Sequence, residues 1–237
     1  RVDAADVDVE LHDQPTRPSR GRVALDLVDV DVLGLSDARL RVEGTLEHDE
    51  LDGHGALEVP ALGVATLDVG LRLGGAPLTA EAWSEATGAT ELRLAGVDLA
   101  EISAWFGSQL GGLGLSGRAS GALRLSRDDA SAMPDVDAAV TTEGLVVRRG
   151  VREYRGVDLG AMMLVDGGTG EAGLSVSAGA ADGILASGRA ALELDLPALV
   201  AEPERAAELL LASRAQATVR VPSRSLTALP ELVPPLG

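Results

Sequence analysis

The sequence of 237 residues contains no cysteine, lysine or asparagine, and only 2% of its residues are aromatic. Without cysteine there are no disulfide bonds, no thiol chemistry and no cysteine-ligated metal. Without cysteine, lysine and a G-x-S-x-G elbow, most schemes for a catalytic nucleophile lack parts. Hydrophobic residues still make up 46% of the chain. Its apolar surface must therefore be built from Leu, Val and Ala rather than from aromatic rings.

Acidic residues outnumber basic ones, 37 against 20, so the formal net charge is −17 at pH 7. Such a surface repels phosphate backbones and anionic headgroups, so binding to nucleic acid or to a membrane surface is not expected. No apolar run approaches the roughly 18 residues that a membrane-spanning helix needs. The chain begins at Arg1 without a methionine, and we expect a segment of a longer protein whose membrane anchor lies elsewhere. Basic residues are all Arg, a bias typical of GC-rich genomes.

Alternation of apolar and polar residues is the dominant pattern, and it predicts β-strands along most of the chain. The alternation changes parity after Leu27 and near Gly144. We predict β-bulges there, because a one-residue slip would otherwise turn the apolar face outward. The stretch 157–165 is apolar at both parities, and we expect it to be covered on both faces of the sheet.

A helix is predicted near 98–110, between two strands. Asp98 is a suitable N-cap, and Glu101 follows at the spacing of a capping box. We expect three residues of this helix to pack against the sheet: Ile102, Trp105 and Phe106. A second helical insertion is predicted near 196–213, whereas Leu78, Ala80 and Ala82 alternate like one more strand.

These patterns predict a mainly β protein, a long curved antiparallel sheet that forms an open groove with one or two short helical insertions. We treat residues 1–237 as one continuous segment with tentative repeat units 1–110 and 111–237, because a strand-and-helix pattern near Leu92 recurs near Val219. The apolar parity gives the candidates for the groove lining: Leu25, Leu40, Val42, Leu57, Leu67, Val69, Leu71, Leu92, Leu94, Leu123, Leu125, Val136, Val140, Leu174, Val176, Leu192, Leu194, Val219 and Val221.

Four features invite a chemical interpretation. The stretch Gly112-Leu-Gly-Leu-Ser-Gly117 satisfies G-x-G-x-x-G, but it follows a predicted helix and precedes a strand, the reverse of a dinucleotide site. His48 and His54 lie near acidic residues and either bind a metal or belong to a solvated hairpin. Carboxylates on the polar parity either form a glycosidase-like pair or keep the sheet soluble. The arginines around Tyr154 either contact a phosphate or lipid headgroup or form a solvated rim. They are Arg148, Arg149, Arg152 and Arg155.

The cadence of several stretches resembles the TamB-like and AsmA-like envelope proteins. The stretches are Leu115-Ser-Gly-Arg-Ala-Ser-Gly-Ala-Leu-Arg-Leu125, Pro134-Asp-Val-Asp-Ala-Ala-Val140, Gly144-Leu-Val-Val147, Tyr154-Arg-Gly-Val-Asp-Leu159 and Gly188-Arg-Ala-Ala-Leu-Glu-Leu194. The resemblance is best from about Leu92 to Gly237. It implies a β-taco or solenoid-like groove in the periplasm of a Gram-negative cell, anchored in the inner membrane through a preceding segment.

The resemblance further implies a noncatalytic protein without cofactors or metals. Its partners would be phospholipid acyl chains, which the groove conducts between membranes, and outer-membrane assembly proteins of the Omp85 type. Two alternatives remain open: a structural or adhesive β-solenoid with a closed core, and a β-helical carbohydrate-active enzyme. An open apolar trough favours the groove, whereas a fully packed interior contradicts it. A concave cluster of carboxylates about 5–10 Å apart favours the enzyme.

Overall fold

The computed structural model describes residues 4–14, 17–32, 35–60, 62–75, 79–106, 113–180, 183–202, 205, 208–209 and 213–222. The strands are β1 (Ala4–Gln14), β2 (Arg17–Val32), β3 (Leu35–Glu47), β4 (Glu50–Val59), β5 (Gly63–Arg72), β6 (Thr87–Asp98), β7 (Leu113–Arg127), β8 (Asp135–Arg149), β9 (Arg152–Tyr154), β10 (Asp158–Val165), β11 (Glu171–Ala180), β12 (Gly183–Glu193) and β13 (Arg214–Arg220). The helices in the described ranges are α1 (Ala80–Ser84), α2 (Leu99–Phe106) and α3 (Leu196–Ala201).

All thirteen strands belong to one antiparallel sheet. Each strand from β1 to β8 pairs with the next strand in sequence, β8 then pairs with both β9 and β10, and the series continues to β13. Consecutive strands can pair in this order because antiparallel neighbours need no crossover, and helices α1, α2 and α3 lie in the β5–β6, β6–β7 and β12–β13 connections. The predicted mainly β, antiparallel architecture is confirmed.

The strand predicted through Ala80 and Ala82 is wrong, because these residues lie in helix α1. Thr79 caps the helix, and its side chain accepts a hydrogen bond from the backbone N–H of Ala82 at 3.3 Å. The pattern covers too few residues to distinguish a period of two from a helical turn, and the cap decides the outcome. Leu78 lies outside the described residues.

Helix α2 begins where Asp98 was predicted to cap it, with Oδ1 of Asp98 accepting from the N–H of Ala100 at 2.8 Å. The backbone N–H of Asp98 donates to the carbonyl oxygen of Leu62 at 3.1 Å, so the predicted capping-box contact with Glu101 is replaced by one to the β4–β5 connection. Ile102 is half-buried. The side chains of Trp105 and Phe106 lie outside the described part of the structure, so their packing stays a prediction.

The two predicted changes of parity correspond to irregular pairing. The register of β2 against β3 shifts between Leu27 and Val30. The register of β7 against β8 shifts between Ser116 and Arg118. There Gly117 has φ 113°, and a Cβ at this position would lie 2.6 Å from the carbonyl oxygen of Gly144, so only glycine fits.

Within the described ranges, few large apolar side chains are buried. The buried apolar residues are Ala38, Val59, Leu73, Ala82, Leu145, Val165 and Ala172. In β10, Met162 and Leu164 are 46% and 50% exposed on one face, and Leu159 and Met163 are 47% and 40% exposed on the other. The expectation that 157–165 is covered on both faces is therefore wrong, because large side chains on both faces of β10 are exposed and only Val165, at its end, is buried.

Candidate functional site

One face of the sheet carries three parallel rows of apolar side chains that run across the strands. Residues paired directly in an antiparallel ladder point to the same face, and alternate residues of a strand share that face. The central row is Leu25, Val42, Gly55, Leu67, Leu92, Leu123, Ala138, Met163, Leu174, Ala190 and Ala217. It crosses every strand of the main path from β2 to β13.

The flanking rows follow the same register two residues away on either side. One is Val23, Gly44, Gly53, Val69, Thr90, Leu125, Val136, Val165, Ala172, Leu192 and Ala215, and the other is Leu27, Leu40, Leu57, Ala65, Leu94, Gly121, Val140, Ala161, Val176, Gly188 and Val219. We call these three rows the apolar face. Thr90 is their one polar residue, and none of their members is charged.

The register brings the predicted lining residues together on this face. Sixteen of the nineteen candidates belong to the three rows. The other three, Leu71, Leu194 and Val221, continue the same parity beyond the rows. Sequence reasoning missed Met163 in the central row, because β10 is apolar at both parities and its register cannot be deduced from its own residues.

The apolar face is open to solvent over much of its length. Leu67 and Leu94 are each 40% exposed, Val140 and Val176 are each 45% exposed, and Val219 is 74% exposed. Strands about 4.8 Å apart make the face roughly 50 Å long across the strands, and rows two residues apart make it about 14 Å wide. The footprint of the face is therefore about 700 Å², which exceeds the few hundred Å² of contiguous apolar surface that monomeric soluble proteins usually expose.

The opposite face is charged and forms ion pairs between neighbouring strands. Asp26 accepts hydrogen bonds from Arg39 at 2.8 Å and from Arg41 at 3.0 Å. These hydrogen bonds lower the pKa of Asp26 to about 2, and the one from Arg39 has the larger effect. Arg93 contacts Asp68 at 3.3 Å in the same way. Such exposed pairs contribute little stability individually, and their main effect is to keep this face hydrated.

A shallow depression of about 590 Å³ lies on this charged side, over the small residues Gly70 and Ala89. Its acidic lining residues are Glu43, Asp52, Asp68 and Glu91. His54 also lines it, with Nδ1 2.7 Å from Oδ1 of Asp68. Among the described residues no group of three His, Asp or Glu side chains is arranged to hold a metal ion. His48 lies in the turn between β3 and β4 with φ 63°.

The glycine-rich stretch does not form a phosphate-binding turn in its described part. From Leu113 onward the stretch is strand β7, so no helix N-terminus follows it. Ser103 of α2, 9% exposed, tethers the start of this strand. Its hydroxyl donates to the carbonyl oxygen of Leu113 at 3.4 Å and accepts from the N–H of Leu115 at 3.0 Å. Sequence reasoning gave Ser103 no role, because its partners lie across a glycine-rich connection.

The arginine cluster lies on the β8–β9 hairpin. Nε of Arg148 lies 2.8 Å from Oε2 of Glu153, and Arg155 binds the other oxygen of that carboxylate. Hydrogen bonds from Arg155 and then Arg148 hold the pKa of Glu153 below its ordinary value. Arg149 and Arg152 pair directly with each other across the hairpin.

No protein-family model, curated protein or solved structure matches this chain. In the part of the chain that the structure describes, none of the helices has the length and apolar composition needed to cross a membrane.

Proposed function

We propose that this chain is a noncatalytic segment of a TamB-like or AsmA-like envelope protein whose apolar face carries lipid acyl chains between membranes. The observation that supports this proposal is the uncharged apolar face, which continues through every strand of the main path from β2 to β13 and keeps large side chains such as Leu67, Val140 and Val176 40–45% exposed. In the proposal the sheet curves into a groove around the cargo, and the protein works in the periplasm with its membrane anchor outside this segment.

The dimensions and composition of the face suit an acyl chain. Its length of roughly 50 Å across the strands exceeds the depth of about 15 Å that one acyl chain spans, which is half of the roughly 30 Å hydrocarbon thickness of a bilayer. Burying a methylene group contributes roughly 0.8 kcal/mol, so contact area alone retains a long chain. Leu, Val, Ala and Gly provide little shape specificity, and sliding between equivalent positions then meets small barriers.

An unfolded outer-membrane strand is the second cargo that this proposal includes. Its alternate apolar side chains would lie on the same face, and its partners would be assembly proteins of the Omp85 type. The closed β-solenoid alternative has less support, because it requires the apolar rows to be packed, whereas Leu67, Val140 and Val176 remain 40–45% exposed.

The carbohydrate-active alternative has one observation in its favour, the acidic depression on the charged face. Asp68 and Glu91 are directly paired there, which places their Cβ atoms about 5 Å apart. Both carboxylates also contact Arg93, at 3.3 Å and 2.8 Å. The shared guanidinium of Arg93 is typical of a solvated ion-pair network. It disfavours a catalytic role, because a general acid must hold a proton that it can transfer to the substrate.

The test is mass spectrometry of lipids that copurify with the protein, comparing wild type with Leu123→Asp combined with Val140→Asp. Both positions are on the apolar face and 37–45% exposed, so the variant is expected to fold and to retain less lipid. The matched control, Ala122→Asp with Thr141→Asp, places the same charges at the same diagonal spacing on the adjacent positions of the charged face. The proposal is wrong if folded L123D/V140D protein retains as much lipid as wild type or as the control.

A further inference from the structure

The β8–β9 hairpin brings two arginines together at its tip. Arg149 and Arg152 are the last directly paired residues before the turn, so their Cβ atoms lie about 5 Å apart. Gly150 has φ 61°, as the first central position of a type II′ turn requires, and Val151 is fully exposed. Nothing in the described residues packs over the tip.

Like charges directly opposite each other destabilise an antiparallel pair. Neither Arg149 nor Arg152 has an ion-pair or hydrogen-bond partner among the described residues. Glu153 belongs to the other face of the hairpin, where it binds Arg148 and Arg155. No described residue neutralises either arginine, and two guanidinium groups carried on directly opposed positions can reach the oxygens of one phosphate, which arginine binds through parallel hydrogen bonds.

The same side of the hairpin is apolar one step further from the tip. Val147 pairs with both Leu115 and Tyr154, and Arg149 pairs with both Leu113 and Arg152. The shift in register places Gly144 and Leu145 of β8 opposite Gly117 alone, so the extra residue belongs to β8. The alternation of β7 therefore keeps Leu113 and Leu115 on the side that carries Leu123 and Leu125. The two arginines therefore mark the end of the apolar face at this rim of the sheet.

We propose that Arg149 and Arg152 bind the phosphate group of an anionic amphiphile whose hydrocarbon chain lies on the apolar face beside Val147 and Tyr154. The position of the hydrocarbon chain rests on the proposed function, whereas the position of the phosphate group rests on the geometry of the hairpin. The net charge of −17 does not prevent this contact, because charges beyond the Debye length of about 8 Å are largely screened at physiological salt.

The experiment compares dodecyl phosphate, dodecyl maltoside and inorganic phosphate by isothermal titration calorimetry below the micellar concentration. Wild type is expected to bind dodecyl phosphate at least tenfold more tightly than dodecyl maltoside and inorganic phosphate. In Arg149→Gln with Arg152→Gln, dodecyl phosphate affinity is expected to fall about tenfold, the size of a lost charge-assisted contact. Dodecyl maltoside affinity is expected to change less than twofold.

The control is Arg189→Gln with Arg220→Gln, which removes the same charge from the opposite face of β12 and β13. A loss in the control equal to that in R149Q/R152Q would show a general charge effect and overturn the headgroup site. Binding of inorganic phosphate as tight as that of dodecyl phosphate would make the pair a free-phosphate site and also overturn the proposal. If dodecyl maltoside does not bind while R149Q/R152Q still loses dodecyl phosphate, the headgroup site stands and the proposed acyl-chain function fails.

Discussion

The apolar face predicts how affinity depends on the length of a single hydrocarbon chain. The perturbation is a series of uncharged ligands with one headgroup, from octyl to tetradecyl maltoside. Each added methylene transfers apolar surface from water to protein, worth about 0.8 kcal/mol when it is fully enclosed. If the face stays open, the chain contacts protein on one side only, and each methylene then contributes about half of that value, or roughly 0.4 kcal/mol.

This difference separates two shapes of the site. An open face predicts about a twofold gain in affinity per methylene, or roughly 60-fold between the octyl and tetradecyl ligands, whereas a groove that wraps the chain predicts about fourfold per methylene. No plateau is expected within the series, because the face is roughly 50 Å long and one acyl chain spans about 15 Å.

The assay is displacement of an apolar fluorescent dye, with each ligand held below its micellar concentration. The L123D/V140D variant is expected to weaken binding of the longest ligands most, because those ligands cover the largest part of the face. Affinity that does not change with chain length would refute the reasoning. A plateau at decyl maltoside would indicate a closed pocket of fixed depth instead of a continuous face.

Two further predictions concern the sheet itself. Gly88→Ala is expected to lower the free energy of unfolding by about 3 kcal/mol or more, because Gly88 has φ 120° and an added Cβ would collide with a backbone carbonyl of β5. In the control Gly173→Ala the Cβ meets no atom within 4 Å, so stability should be unchanged or slightly higher. Urea unfolding followed by circular dichroism measures both variants, and equal effects would contradict the backbone argument. Arg39 and Arg41 lower the pKa of Asp26 to about 2, so the stability that this carboxylate contributes is present above pH 4 and is lost as the pH falls towards 2. Asp26→Asn should therefore flatten the decline of the urea midpoint over that pH range. An unchanged decline would contradict the assignment of this pH dependence to Asp26.

Parity in the sequence predicts the face to which a strand residue belongs, because the period of a strand is fixed at two. Leu92 and Leu94, like Leu123 and Leu125, each follow this rule without help from tertiary contacts. The parity changes near Leu27 and Gly144 were equally visible, since a bulge must occur where the apolar parity slips. These local rules account for the mainly β architecture and for the grouping of the lining candidates.

Features that depend on pairing between strands could not be deduced in this way. The opposition of Arg149 and Arg152 follows from where the hairpin turns, and a cluster of four arginines in sequence does not specify which of them meet. Helix α1 depends on the cap at Thr79, which competes with an equally plausible strand pattern. The position of Met163 in the central row is set by its neighbours Ala138 and Leu174 rather than by β10.

Folding alone does not require every position of the apolar face to be uncharged. A side chain that is 40–45% exposed, such as Leu94 or Val140, can be replaced by Thr or Arg with little loss of stability. Surface substitutions usually change the free energy of unfolding by less than about 0.5 kcal/mol. The charged face shows that these strands accept Arg, Asp and Glu at the neighbouring positions. If the apolar residues only stabilised each hairpin locally, charges would interrupt the rows at some of the eleven strands. Their continuity supports the proposed function, because a mobile hydrocarbon chain would require an uncharged path along the whole face and isolated packing contacts would not.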